Sequence, residues 1–337
     1  MAKPLSAVIY GLKGHQISPE ERRFFAESNP YGFILFARNC GSPAQLRALT
    51  QELRQCVGRA LLPILIDQEG GRVARLRPPH WPSYPPAAVF DALYQRSPEE
   101  AKAAVYLNAR LIAEDLASLG ITVDCAPLAD LPVEGAHDII GDRAFGRRPA
   151  QVIALARAMA NGLSDGGVVP VLKHIPGHGR AFADSHEALP VVTESLEVLR
   201  ATDFVPFAAL ADLPMAMTAH VLYTAIDKER LATVSPAAIR LIREELGFSG
   251  LLMSDDLSMK AMQGDFTARA KAVLAAGCDV VLHCNGEMEE MQAVAGGVHA
   301  LSGQALARAE KAMVGAGQRK AFDVAAARDT VQALIAA

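Results

Sequence analysis

The feature of this 337-residue chain that most limits its fold is the regular return of short apolar runs, separated by longer amphipathic segments. Such alternation is typical of parallel α/β folds, in which strands and helices follow one another. Eight candidate strands are predicted in this way: Ser6–Tyr10, Gly32–Phe36, Pro63–Asp67, Thr122–Pro127, Val169–His174, Met215–His220, Leu251–Asp255 and Asp279–Cys284. Eight strand–helix units predict a single closed (β/α)8 barrel of the TIM type, which accommodates a chain of this length.

Residues typical of helix ends stand between the apolar runs. Ser97-Pro98 and Ser235-Pro236 are typical of helix starts, and Gly120, Gly247 and Gly277 stand where helices are expected to end. These positions support the order strand, helix, strand, helix.

The segment 98–119 is predicted to be a helix that packs on the barrel. Its residues Ala104, Leu107 and Leu111 recur with helical spacing and predict a buried face. Arg110 and Glu114 are predicted to point away from that face.

Residues 1–337 are predicted to form one catalytic domain, with residues from about 304 to 337 as C-terminal helical packing. An open, doubly wound sheet is the alternative, and it normally carries a glycine-rich nucleotide-binding turn after its first strand. Gly11-Leu12-Lys13-Gly14 lacks that pattern, and Gly177-His178-Gly179 is followed by Phe182 where the last glycine belongs. We therefore predict no nucleotide and no other cofactor.

Composition limits the partners and the compartment. A formal net charge of −4 without a run of Lys or Arg argues against nucleic acid. No stretch of 18 apolar residues is present, which argues against insertion into a membrane. The five cysteines are odd in number and form no C-x-x-C motif, so they predict reduced thiols in a cytoplasmic protein. The oligomeric state is not indicated.

Four polar clusters follow predicted strands, and active sites of such barrels are built at the carboxyl ends of the strands. The clusters are Asp67-Gln-Glu-Gly-Gly-Arg-Val-Ala-Arg75, Gly141-Asp-Arg143-Ala-Phe-Gly146, Lys173-His174-Ile-Pro-Gly-His178-Gly179 and Ser254-Asp255-Asp256. One such cluster alone is expected of any polar loop. Four on one rim favour a binding site for a polyhydroxylated ligand, because carboxylates and guanidinium groups hydrogen-bond several hydroxyls at once.

The histidines of the third cluster allow two interpretations. His174, His178 and His186, together with Asp184, resemble a zinc ligand set. The helix that the spacing of His174 and His178 would require is broken by Pro176-Gly177. A mobile acid/base, His186 oriented by Asp184, is favoured over a metal site.

The carboxylates and the lysine also leave alternatives open. Asp255 and Asp256 are neighbours on a strand, so only one is expected to face the barrel mouth, and periodicity does not say which. Asp255 is a candidate nucleophile or base, or else an N-cap for the helix near Asp265. Lys173 is a candidate Schiff-base lysine of an aldolase-like enzyme. A sugar-binding barrel without catalysis is a further alternative.

Three motifs occur in collinear order: Asp67-Gln-Glu-Gly-Gly-Arg72, Lys173-His-Ile-Pro-Gly-His-Gly179 with Asp184-Ser-His186, and Ser254-Asp-Asp-Leu-Ser-Met259. Together they resemble family 3 glycoside hydrolases of the bacterial β-N-acetylglucosaminidase type. The resemblance covers about residues 5 to 300, and the chain is too short beyond Gly303 for the C-terminal sandwich of two-domain members.

The resemblance implies a retaining exo-hydrolase that removes terminal β-linked N-acetylglucosamine, notably from 1,6-anhydro-muropeptides in cell-wall recycling. It implies Asp255 as nucleophile, His186 as acid/base and Asp184 as the partner that orients His186. The implied sugar-binding residues are Asp67, Arg75, Arg143, Lys173 and His174, and no metal is implied. Two mechanistic alternatives stay open, namely attack by the substrate's own 2-acetamido oxygen and phosphorolysis.

Overall fold

The computed structural model describes residues 3–135, 138–181 and 189–336. Eight parallel strands form a closed barrel in which each strand pairs with the next along the chain and the last pairs with the first. The strands are β1 (Ser6–Gly11), β2 (Pro30–Leu35), β3 (Ile64–Ile66), β4 (Val123–Asp124), β5 (Val169–Ile175), β6 (Met215–Thr218), β7 (Leu251–Asp256) and β8 (Val280–His283). The prediction of a single eight-stranded α/β barrel is confirmed.

Helices surround the barrel and occupy most of the connections between strands. They are α1 (Pro19–Ser28), α2 (Pro43–Val57), α3 (Ala87–Arg96), α4 (Pro98–Ser118), α5 (Pro149–Asp165), α6 (Leu196–Ala201), α7 (Val205–Ala209), α8 (Pro236–Arg240), α9 (Phe266–Ala276), α10 (Met288–Ala295), α11 (Gly303–Ala312) and α12 (Val324–Ala336). Shorter elements are the 3-10 turns Ala37–Asn39, Gly141–Arg143 and Ala232–Val234 and the π-helical turn Leu241–Glu245. Two small ribbons pair Gln68–Gly70 with Val73–Ala74, and Val191–Val192 with Leu222–Tyr223.

The helix boundaries follow from local sequence. α1 starts with a capping box, in which the Ser18 side chain accepts a hydrogen bond from the Glu21 backbone and the Glu21 side chain accepts one from the Ser18 backbone. The predicted starts of α4 and α8 at Pro98 and Pro236 are confirmed. α9 ends at Gly277, whose φ of 112° is a left-handed conformation that glycine adopts without steric cost.

The barrel lumen is filled by apolar side chains that alternate with those facing the helices. The lumen side includes Ala7, Ile9, Ile34, Leu65, Val123, Val171, Met215, Leu251, Met253, Val280 and Leu282. Leu301, Ala309 and Met313 pack into the same cluster from the α11 region. Since Leu301 N–H donates to the carbonyl of Leu5, just before β1, α11 lies at the amino end of the barrel. That end is therefore closed by apolar packing.

The C-terminal segment corrects one prediction from the sequence. Arg110 on α4 is only 1% exposed. Its guanidinium group donates to the carbonyl of Lys320 at 2.8 Å and lies 4.4 Å from the centre of the Phe322 ring. The prediction that Arg110 points away from the buried face was wrong, because a segment that begins about 200 residues later in the chain covers that side of α4.

Within residues 3–135, 138–181 and 189–336, every helix is too short or too polar to cross a bilayer.

Candidate active site

A cavity of about 300 Å³ opens at the carboxyl ends of the strands. Its polar lining brings together residues that lie at the carboxyl ends of β5 and β7 or in the segments after β3, β4 and β5. They are Asp67, Arg75, Arg143, Lys173, His174, His178, Asp255 and Asp256. All six candidate site residues that belong to the described chain are in this set. Asp184 and His186 lie outside the described residues, so their predicted roles stay predictions.

The floor of the cavity is a network of partly buried charges centred on the buried Lys173. Its ammonium group lies 2.9 Å from Asp67 Oδ1 and 2.6 Å from Glu69 Oε1. Arg143 donates two hydrogen bonds to Glu69, at 2.8 and 2.9 Å, in the two-pronged geometry that suits a carboxylate. Arg75 donates to Asp67 Oδ2 at 2.9 Å. Each charge of this network thus has an opposite charge beside it.

Because of these ion pairs, the network stays ionised despite its burial. Burial on its own raises the pKa of Asp67, but Lys173 and Arg75 outweigh it and hold that pKa below its usual value. Burial likewise raises the pKa of Glu69, yet Arg143 and Lys173 lower it to about 2. Burial lowers the pKa of Lys173, while Asp67 and Glu69 raise it above its usual value. The lysine is therefore held protonated, which opposes the aldolase interpretation, since Schiff-base formation requires the free amine.

An aromatic ring supports Arg75 from the side of β2. The guanidinium carbon of Arg75 lies 5.2 Å from the centre of the Phe36 ring, within the range of a cation–π contact. Both residues line the cavity. Arg75 is thus held between the ring and the Asp67 carboxylate.

His174 follows Lys173 on β5 and is oriented by a buried carboxylate. Its Nδ1 lies 2.7 Å from Asp130 Oδ2. The backbone N–H of His178 donates to the other oxygen of Asp130 at 2.6 Å. The Lys173–His174 and Ile175–Pro176 peptide bonds are cis.

The two neighbouring carboxylates at the end of β7 have different environments. Asp256 accepts hydrogen bonds from the backbone N–H groups of Ser258 and Cys284, which hold it in the local turn. Asp255 lines the cavity, is 7% exposed, and accepts the backbone N–H of Asp256 at 2.8 Å. The N-cap of α9 is Asp265 itself. The interpretation of Asp255 as that helix's cap was therefore wrong.

Four members of the site were not among the predicted site residues. Glu69, Asp130, His178 and Asp256 each lie beside a predicted residue, and the sequence offers only their closeness to strand ends as a signal. Within the described residues, no group of three or more His, Cys, Asp or Glu side chains is arranged to hold a metal ion.

Comparison with known proteins identifies the class. Residues 5–314 match the model of the glycosyl hydrolase family 3 N-terminal domain. The chain is 43% identical over 286 residues to a beta-hexosaminidase of Alkalilimnicola ehrlichii, covering 83% of this chain and 81% of that protein. It is 41% identical over 282 residues to a beta-hexosaminidase of Methylococcus capsulatus, covering 82% of each.

A solved structure agrees with this assignment. NagZ from Neisseria gonorrhoeae, in complex with N-trifluoroacetyl-D-glucosamine, superposes with a TM-score of 0.88 at 32% identity, covering 98% of both chains. The chain therefore belongs to glycosyl hydrolase family 3 and is a glycoside hydrolase. Within that family, the comparisons group it with the bacterial beta-hexosaminidases.

Proposed function

We propose that this β-N-acetylhexosaminidase is a retaining exo-enzyme that removes terminal, non-reducing, β-linked N-acetylglucosamine by double displacement through a glycosyl-enzyme on Asp255. The observation that carries the proposal is the position of Asp255. It lines the same cavity as the Asp67, Lys173 and Arg75 network, and the N–H of Asp256 restrains its carboxylate. A nucleophile in a retaining mechanism needs such a fixed carboxylate beside the bound sugar.

The polar floor suits a sugar ring. Lys173, Arg75 and Arg143 are donors only, whereas Asp67 and His174 supply acceptors, so hydroxyl groups find partners of both kinds. We assign these five residues to sugar binding. The binding of N-trifluoroacetyl-D-glucosamine by the related NagZ supports a 2-acetamido sugar as the ligand.

The acid/base is assigned to His186, with Asp184 as the residue that orients it. An imidazole near its ordinary pKa donates and accepts protons near neutral pH. It also adds no second negative charge beside Asp255, which a second carboxylate would do. No metal or cofactor takes part in this scheme.

The biological substrate is proposed to be a 1,6-anhydro-muropeptide from cell-wall recycling, hydrolysed in the cytoplasm. The family resemblance of the sequence motifs implies this substrate, and the similarity to bacterial beta-hexosaminidases supports the hydrolysis of a hexosaminide. All five cysteines are free, which is consistent with a reducing compartment.

The test is release of nitrophenol from 4-nitrophenyl N-acetyl-β-glucosaminide in EDTA by the wild type, Asp255→Asn and Asp329→Asn. Asp329 is exposed on α12 and serves as the matched control. We expect the wild type and Asp329→Asn to be equally active and Asp255→Asn to lose at least about 1,000-fold in kcat. Full activity of a folded Asp255→Asn would refute the proposal.

A 2-fluoro glycoside and an assay in phosphate buffer separate the alternative mechanisms. A 2-fluoro-glycosyl adduct trapped on Asp255 supports double displacement, whereas substrate assistance leaves no adduct on the protein. Phosphorolysis would give the sugar phosphate in phosphate buffer, and hydrolysis gives the free sugar.

A further inference from the structure

We infer that Asp130 is a positioning residue that fixes the tautomer of His174 and so decides that this imidazole accepts a hydrogen bond from the sugar. The inference rests on the proposed hydrolysis of an N-acetylglucosaminide. Asp130 does not line the cavity and acts on the ligand only through His174.

The Asp130 carboxylate is buried between the segment that follows β4 and the end of β5. It is 0% exposed. Oδ2 lies 2.7 Å from His174 Nδ1, and Oδ1 accepts the backbone N–H of His178 at 2.6 Å. The backbone N–H of His174 lies 3.3 Å from both oxygens. Each carboxylate oxygen therefore has its own strong donor.

The Asp130 carboxylate determines which ring nitrogen of His174 carries the proton. Burial alone raises the pKa of Asp130, but His174 and His178 outweigh it and hold that pKa below its usual value. An ionised carboxylate only accepts hydrogen bonds, so Nδ1 of His174 must carry a proton. In the neutral ring, Nε2 then presents a lone pair, as in other pairs where a carboxylate orients histidine.

That lone pair complements the rest of the site. His174 lines the cavity beside Lys173 and Arg75, which offer hydrogen-bond donors and no acceptor. A sugar hydroxyl that accepts a bond from one of these cations still needs an acceptor for its own proton. His174 in the Nδ1–H tautomer provides one, and the opposite tautomer would place a donor there instead.

The backbone around Asp130 leaves the carboxylate little freedom. The N–H of Ala129 donates to the carbonyl of Lys173 at 2.8 Å. A Cβ added at Gly179 would lie 1.9 Å from the carbonyl oxygen of Leu131, so these two segments are in direct backbone contact. The carboxylate is thus fixed relative to both β5 and the turn after it.

Asp130→Asn tests the tautomer with little disturbance of the fold. The asparagine oxygen can keep the bond from the His178 N–H, and its NH₂ group then replaces Oδ2 beside His174 Nδ1. An NH₂ group donates to Nδ1 and moves the ring proton to Nε2. We expect kcat/KM for the nitrophenyl glycoside to fall roughly 10- to 100-fold, as for loss of one hydrogen bond to a charged group.

Two measurements distinguish this role from a purely structural one. Nitrogen-15 spectra of the histidine rings should show His174 as the Nδ1–H tautomer in the wild type and as the Nε2–H tautomer in folded Asp130→Asn. In a His174→Ala background, Asp130→Asn should change kcat/KM by less than about 2-fold. Asp130 acts through His174, so the effects of the two substitutions are not additive. The inference would be overturned if the His174 tautomer were unchanged in Asp130→Asn. It would also be overturned if Asp130→Asn lowered kcat/KM as much in the His174→Ala background as it does in the wild type.

The experiment also separates this inference from the proposed function. A wild type that releases no nitrophenol refutes the proposed hydrolysis, while the ring spectra still report whether Asp130 fixes the tautomer. An active wild type whose kcat/KM is unaffected by Asp130→Asn supports the proposed function and refutes the inference.

Discussion

The two ends of the barrel are built from different kinds of side chain, apolar at the amino end and charged at the carboxyl end. At the amino end, apolar side chains from the α11 region, including Leu301 and Met313, fill the lumen. At the carboxyl end, the partly buried Asp67 and Glu69 form interlocking ion pairs with the buried Lys173 around an open cavity. Apolar packing depends on shape and volume, whereas a buried charge is tolerated only when its particular partner is present. The two ends should therefore respond differently to substitution.

The largest effect is expected from removing the shared cation at the carboxyl end. Lys173→Met leaves Asp67 and Glu69 close together with one partner fewer each, which should cost about 3 kcal/mol of the free energy of unfolding. It should also lower kcat/KM, because the lysine lines the cavity. Urea unfolding and the nitrophenol assay measure the two losses.

The control for this prediction is Lys102→Met. Lys102 forms an ion pair with Glu99 at the surface of α4, where such pairs contribute less than about 1 kcal/mol. Suppose that Lys173→Met and Lys102→Met lowered the free energy of unfolding equally. In that case the stability of the carboxyl end would not depend on its ion pairs, and the difference between the two ends would be contradicted.

The amino end should lose stability without losing activity. Met313 is 5% exposed within the lumen cluster, so Met313→Ala should cost about 2 kcal/mol through a cavity, with kcat/KM unchanged. The adjacent Val314 is 77% exposed, and Val314→Ala should cost less than about 0.5 kcal/mol. A change in kcat/KM for Met313→Ala would show that the two ends are coupled.

The smallest expected effect concerns a carboxyl group at the polar end that forms no ion pair in the described structure. Asp124 is 0% exposed, its Oδ1 accepts the Gln68 N–H at 2.9 Å, and burial raises its pKa to about 7. The folded protein therefore keeps this proton up to about pH 7, while the unfolded chain releases it near its ordinary pKa of about 3.9. The contribution of Asp124 to stability is thus lost as pH rises between these values.

Asp124→Asn removes the pH dependence of stability that the Asp124 carboxyl group causes. From pH 5 to pH 6, the wild type should lose about 1 kcal/mol of stability relative to Asp124→Asn, as measured by urea unfolding at both pH values. The exposed control Asp329→Asn should follow the wild type. Parallel behaviour of Asp124→Asn and the wild type would mean that Asp124 is ionised in the fold.

The sequence predicted the barrel because its strands are buried on both faces and are therefore short apolar runs. In β7, Leu251 and Met253 face the lumen while Leu252 packs in the core cluster outside it, so each of these positions is apolar. The position of Lys173 at a strand end likewise predicted its place in the cavity at the carboxyl end of the barrel. These features require no knowledge of which segments are neighbours in space.

Partners that lie far apart in sequence could not be predicted in this way. Arg143 and Glu69 are 74 residues apart, and Arg110 and Lys320 are 210 apart, so neither contact leaves a periodic signal. This is why Glu69 was missed and why Arg110 was wrongly placed away from the buried face. The roles of Asp184 and His186 stay predictions that rest on the sequence.

The filling of the amino end by α11 has a consequence for the order of events during turnover. Across the described part of the barrel, a ligand reaches the cavity from the carboxyl end, so substrate and products share one entrance. In the proposed double displacement, the aglycone must diffuse out through that entrance before the water molecule that hydrolyses the glycosyl-enzyme can take its place. The freed sugar then leaves last by the same route, and only afterwards can the next chain end bind.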